Sequence, residues 1–176
     1  MTGMKRAIGN IRQLFTAIVI MVAQLAMMAD ARAQEPPPRP ISVHVDPGQG
    51  LIFGAFFLGT SGGTVTINPD GSRVIMGSIV GANLGYPFSP AIFEVLANQG
   101  TLIQVMRGPD AILTGSNGGT MTMRIGTLST GDQFITTAQP PTRNLVRVGG
   151  ILTVGSPSAN PVGAYSGTFQ LTFIQE

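Results

Sequence analysis

The sequence predicts an all-β chain, a two-sheet antiparallel β-sandwich preceded by a cleavable leader. Three observations carry this. First, 24 glycines, 13 prolines and only 10% charged residues leave too few Lys, Glu and Asp to wet the outer faces of helices. Thr, Ser, Gln and Asn can wet strands instead. Second, about nine or ten short runs alternate apolar and polar residues, with turn signals spaced roughly 8–12 residues apart. Third, Gly163 to Gln175 (GAYSGTFQLTFIQ) puts Tyr165, Phe169, Leu171 and Phe173 on one parity and Ser166, Thr168, Gln170 and Thr172 on the other. That period of two marks a strand with one face in a core.

Residues 1–33 read as a secretory signal. Lys5, Arg6 and Arg12 give a basic start, and Leu14–Ala23 is a short apolar run. Ala31 and Ala33 supply the small residues before a cleavage point at Gln34. The apolar run is shorter than the roughly 20 residues of a membrane span, so contact with the membrane is expected only during export. Beyond residue 33, six arginines face seven acids, a formal charge of −1, and there is no lysine. That removes the footprint of nucleic-acid binding. The chain has no cysteine, which excludes disulfides, thiolate metal sites and a cysteine nucleophile.

Residues 34–50 form a proline-rich tail with one short strand. Gln34–Pro40 (QEPPPRP) is extended. Ile41, Val43 and Val45 then alternate with Ser42 and His44, and that places the single histidine on the polar parity.

The sandwich is expected over residues 51–176. Leu51–Leu58 is the most apolar run and suits a buried strand, with Gly59–Gly63 turning the chain into Thr64–Asn68. Asn68-Pro69-Asp70-Gly71 is a turn signal, because Pro fixes φ and Gly takes positive φ. Ser72–Val80 returns as the hairpin partner. The loop Gly81–Pro90 carries Tyr86 and Phe88, which are expected to cap the core. Ala91–Ala97 and Thr101–Met106 read as a strand pair across Asn98-Gln99-Gly100. Ile112–Thr114 is short, and Gly115–Gly119 turns into Thr120–Leu128. There Met121, Met123 and Ile125 form a core stripe. Thr130–Arg143 reads as loop. Leu145–Val154 is a strand with a kink at Gly149-Gly150. GTSGGTVTI at 59–67 echoes GSNGGTMTMRI at 115–125, which is read as one turn chemistry used twice. This strand count and spacing suggest immunoglobulin-like topology.

Several of these segments together resemble the bacterial domain-of-unknown-function family 4402, over about Leu51 to Ile174. They are Phe53-Gly54, SGGTVTINPDGSR (61–73), Phe93-Glu94-Val95, GGTMTM (118–123), VGGILTVG (148–155) and GAYSGTFQLTF (163–173). The resemblance implies an exported bacterial protein with a pilin-like or immunoglobulin-like sandwich. It brings no catalytic residues.

Nucleophilic catalysis needs a base beside the nucleophile. One histidine and no lysine after residue 33 leave few arrangements. Asp46, Glu94, Asp110 and Asp132 could converge as paired carboxylates, though no spacing suggests it. No enzyme activity, cofactor or metal is expected. The leading reading is a secreted structural or adhesive subunit, located in the periplasm, on the cell surface or outside the cell. Its partners would be copies of itself or other surface subunits, joined by strand addition. The residues named for exchange are Ile41, Val43 and Val45 as donor, with Gly163, Tyr165, Phe169, Leu171 and Phe173 at the receiving strand. Glycine at 163 fits the pattern of chaperone-assembled pilins, whereas Gln175 departs from it. Alternatives are a small outer-membrane β-barrel, a periplasmic enzyme and a ligand-binding module.

Overall fold

The computed structural model describes residues 40–45 and 47–176. The expected signal segment with its cleavage residues Ala31, Ala33 and Gln34, tail residues 34–39 and Asp46 lie outside them. Eleven strands follow one another: β1 Ser42–Val45, β2 Phe56–Ile67, β3 Arg73–Gly81, β4 Ala91–Leu96, β5 Leu102–Arg107, β6 Ala111–Gly115, β7 Thr120–Leu128, β8 Gln133–Ile135, β9 Asn144–Val154, β10 Tyr165–Ser166 and β11 Leu171–Gln175. The only helical element among the described residues is a 3-10 turn, Pro47–Gln49.

All pairings are antiparallel, and they form two sheets. The larger has the order β1-β4-β9-β7-β6-β10, with β2 on β9 and β3 outside β2; the smaller is β11-β5-β8. Among the described residues neither sheet closes on itself, so the barrel alternative does not describe them.

β9 organises the large sheet. β7 bonds one of its edges from Val148 to Thr153. The other edge is shared: β4 takes Asn144–Val148 and β2 takes Gly150–Val154. The changeover falls at the expected glycine kink. A Cβ on Gly149 would stand 2.4 Å from Ile67 O, and one on Gly150 would stand 2.4 Å from Leu51 Cδ2. Only glycine lets the two neighbours meet there.

The core has two parts. One joins Phe93 and Val95 of β4, Ile103 and Val105 of β5, Ile125 and Leu128 of β7, and Val146 and Val148 of β9. The other joins Val65 and Ile67, Ile79, Met121 and Met123, and Leu152 and Val154. The methionine stripe is core filling. Fully burying an aliphatic side chain is worth about 1.5–3 kcal/mol, so these inward faces fix the register.

Several expectations are corrected. Gly59–Gly63 is no turn. β2 runs through it, and the ladder with β3 shifts between Leu58 and Gly63. Gly62 has φ +72°, and Cβ atoms at Gly59 and Gly63 would stand about 2 Å from Ser78 and Met76. Its echo at 115–119 is a true hairpin turn, closed by Gly118 N–H to Gly115 O. The two echoed strands flank β9, with Thr64 and Thr122 both opposite Thr153.

β4 and β5 do not pair but belong to different sheets. Between them the chain arches over, held by Thr136 (1% exposed), whose Oγ1 donates to Asn98 O and accepts from Thr101 N–H. Thr136 follows β8, a strand inside the segment expected to be loop. The hairpin at Asn68–Ser72 forms as expected, with Asp70 Oδ1 accepting from Ser72 N–H at 2.8 Å and from Ser72 Oγ. Tyr86 and Phe88 do not cap the core: they are 69% and 40% exposed, and Phe88 lies under the Arg73 guanidinium at 4.4 Å.

Candidate functional site

The segment expected as one strand, Gly163–Gln175, is two strands in different sheets. β10 pairs with β6, with Tyr165 opposite Gly115. β11 pairs with β5, with Phe173 opposite Val105. The chain crosses between them at Gly167, where a Cβ would stand 2.6 Å from Ile112 O. Gly167 therefore seats the backbone of β6.

The expected parity survives the crossing. Tyr165 packs on the second core cluster, Leu171 and Phe173 on the first, and Phe169 on both. Phe93 meets Phe169 edge-on (centroids 6.2 Å, 68°) and Phe173 at a tilt (5.6 Å, 41°). None of Phe169, Leu171 and Phe173 is fully buried, although each faces the core.

β11 is an edge strand, and its backbone alternates as its side chains do. At the two ends of the pairing, Gly108 N–H bonds Gln170 O (3.0 Å) and Glu176 N–H bonds Leu102 O (3.1 Å). Bonded and unbonded pairs alternate in an antiparallel ladder. The even-numbered residues of β11 therefore bond β5. Leu171, Phe173 and Gln175 turn their N–H and C=O groups to the outer edge. Consistent with this, Val105 N–H, opposite Phe173, bonds Asp132 O on the far side of β5 (2.8 Å). No strand among the described residues pairs with that outer edge.

β1 is the corresponding edge of the large sheet. It pairs with β4 alone, Val43 opposite Val95 and Val45 opposite Phe93. Opposed residues share a face, so both valines point to the side of the first core cluster, against which Ile41 packs. Yet Val43 and Val45 are 39% and 43% exposed, and Ser42 and His44 are exposed too. The expected half-buried strand is thus exposed on both faces. Phe93, opposed by Val45 and touching Phe173, links the apolar sides of β1 and β11. Gly163 lies elsewhere, against Ser116 in the β6–β7 turn.

Of the four carboxylates named, Asp46 lies outside the described residues, and the other three do not converge. Glu94 pairs with Arg143, Asp132 with Arg107 (2.5 Å) and Asp110 with Arg124 (3.7 Å). Among the described residues no group of three or more His, Asp or Glu could hold a metal. Asp70 has its carboxyl held below the usual value by its bonds from the Ser72 side chain and backbone, which favour the charged form. Among the described residues one shallow depression, of about 330 Å³, lies beside Phe134 and Arg143, and another, of about 460 Å³, lies over Thr64, Thr122, Thr153, Asp110 and Arg124.

Sequence reasoning missed two features of the β11 site. Phe134, on the three-residue β8, packs on the cluster beneath β11. Gln175 shares the core parity and the outward backbone of Phe173; the alternation of residues 171, 173 and 175 could have revealed it.

No curated protein matches the chain, and no solved structure does. The family model described as Domain of unknown function (DUF4402) matches residues 43–174. The chain belongs to that family.

Proposed function

We propose that this protein is an exported, non-enzymatic structural or adhesive subunit of a bacterial surface assembly, in which β11 receives an extended strand from another subunit. One observation carries the reading. Leu171, Phe173 and Gln175 offer open backbone groups on the same strand whose apolar side chains only half cover the core around Phe93. An added strand would satisfy both at once, with main-chain bonds for affinity and alternate side chains for fit.

The best donor within the chain is Ile41–Val45 of a second copy. Residues 34–40 are poor donors, because prolines at 36, 37, 38 and 40 lack the N–H a ladder needs. Among the described residues Ser42–Val45 pairs with β4 alone, through four residues, and Ile41 packs beside the first core cluster. The signal-like residues 1–33 support export. The separate pairing of Glu94, Asp110 and Asp132 with different arginines supports a non-enzymatic role.

The test compares residues 34–176 with residues 51–176, which lack β1, by size and thermal stability. Assemblies are expected from the longer form and not from the shorter. Gln175→Pro removes an outward N–H without removing a bond to β5 and should weaken assembly while leaving the monomer folded. A longer form that stays monomeric at all concentrations overturns the proposal.

A further inference from the structure

We infer that the outer face of the large sheet carries a binding site for a short saccharide, in the depression over Thr64, Thr122, Thr153, Ile151, Asp110 and Arg124. The inference does not rest on exchange at β11, since the depression involves neither β1 nor β11.

The registers of five strands build the site. β2 and β7 flank β9, so Thr64 and Thr122 both stand opposite Thr153. Val65, Met121, Met123, Leu152 and Val154 beside them point into the core, so the three threonines point the other way. Two further pairings extend the row: Met76 of β3 stands opposite Thr64, and Ile112 of β6 opposite Thr122. Opposed residues share a face. Across the sheet the row is therefore Met76, Thr64, Thr153, Thr122 and Ile112. Three short side chains lie between two longer ones that are 65% and 57% exposed. With neighbouring strands about 4.8 Å apart, the threonine floor is about 10 Å wide.

A charged pair bounds the floor on one side. In the adjoining row Ile151 stands opposite Arg124. Asp110, just before β6, holds its Oδ1 at 3.7 Å from Arg124 Nε. That ionic contact is too long for a hydrogen bond, so both groups keep donors and acceptors for a ligand. The hydroxyls of Thr64, Thr122 and Thr153 make no hydrogen bond among the described residues. The volume of about 460 Å³ falls in the range of small-molecule sites, about 300–1,000 Å³.

These groups select a neutral polyhydroxyl compound. The opposite charges of Asp110 and Arg124 cancel, which gives an ion no net attraction. Adjacent sugar hydroxyls suit the pair. One donates to the carboxylate while its neighbour accepts from the guanidinium, and both bonds are charge-assisted. A threonine hydroxyl donates and accepts, as a sugar hydroxyl does. The threonine methyls and Ile151 meet the C–H edges of the ring. Met76 and Ile112 close the two ends of the row, which limits the ligand to a short chain.

The experiment titrates the protein, as its host processes it, with glucose, galactose, mannose, N-acetylglucosamine and maltose, and follows amide chemical shifts. At least one sugar is expected to give a saturable response centred on Thr64, Thr122, Arg124, Ile151 and Thr153. Thr153→Val removes one hydroxyl at nearly constant shape. It should weaken that sugar's binding about three- to tenfold, as loss of one hydrogen bond does. Asp110→Asn should weaken it further, because the charged acceptor is gone. Thr114→Val, on the same face of β6 but outside the depression, should leave binding unchanged. Sodium sulfate should not compete with the sugar. The inference is overturned if none of the five sugars gives a saturable response there, or if Thr153→Val binds as tightly as the unaltered chain. Displacement of the sugar by sulfate at Arg124 overturns it too, since the site would then select an anion.

Discussion

The two open edges, β3 and β11, differ in what lies behind them. Behind β3 the core is closed: Val65, Ile67 and Ile79 are 0%, 1% and 7% exposed, and the unsatisfied apolar surface is on the outer face. Behind β11 the core is ajar, with Phe169, Leu171 and Phe173 half-covered, while Thr172 faces out. An edge of the first kind, bent besides at Gly77 (φ +85°), gives a neighbouring strand no opening. An edge of the second kind can gain a neighbour that also inserts side chains. Backbone groups alone do not distinguish the cases; the side-chain parity does.

Mutation can widen or erase this contrast. Ile67→Ala, behind β3, should cost about 2–5 kcal/mol in denaturant unfolding, as truncation of fully buried aliphatics does. Phe173→Ala removes a larger side chain yet should cost less, about 1–2 kcal/mol, because only part of its surface is buried. Equal losses at the two sites would show that the core behind β11 is as closed as that behind β3.

Gly149→Ala probes the ladder that fixes β2, and through it β3. Its Cβ would meet Ile67 O at 2.4 Å, and relieving such overpacking costs about 1–3 kcal/mol. Amide exchange should quicken at Val65 and Ile67 while Val105 in β5 stays protected. Uniform quickening would mean that the two edges are not separately held.

The smallest effect is at the hairpin tip. The folded carboxyl of Asp70 titrates below its ordinary 3.8. Its stabilising contribution is therefore full above that value and is lost as pH falls through the lower folded one. Asp70→Asn should flatten a slight acid dependence of unfolding without changing the behaviour of β11. An unchanged pH profile would remove Asp70 from the account.

What the sequence reveals here divides along the same line as the chemistry. Asn68-Pro69-Asp70-Gly71 could be read directly because its turn is made by its own residues. The parities of Met121, Met123 and Ile125, and of Phe169, Leu171 and Phe173, could be read because alternation is local. Which strand bonds which could not. Asn98-Gln99-Gly100 looks the same whether the chain returns to its own sheet or arches to the other, and Thr136, which decides it, comes 35 residues after Thr101. GTSGG reads as a turn unless one knows that β3 and β9 lie against it. β8 offers only Phe134 and Ile135 as apolar marks in a polar stretch. At the β11 site the core parity was legible, whereas the sheet crossing at Gly167 and the exposure of Val43 and Val45 depend on distant neighbours.

Leu51 and Phe169 each pack against both core clusters. Neither cluster can melt without uncovering a side chain the other needs. Despite the divided interior, calorimetry should record a single transition whose calorimetric and van't Hoff enthalpies agree. Phe169→Ala should pull those two enthalpies apart.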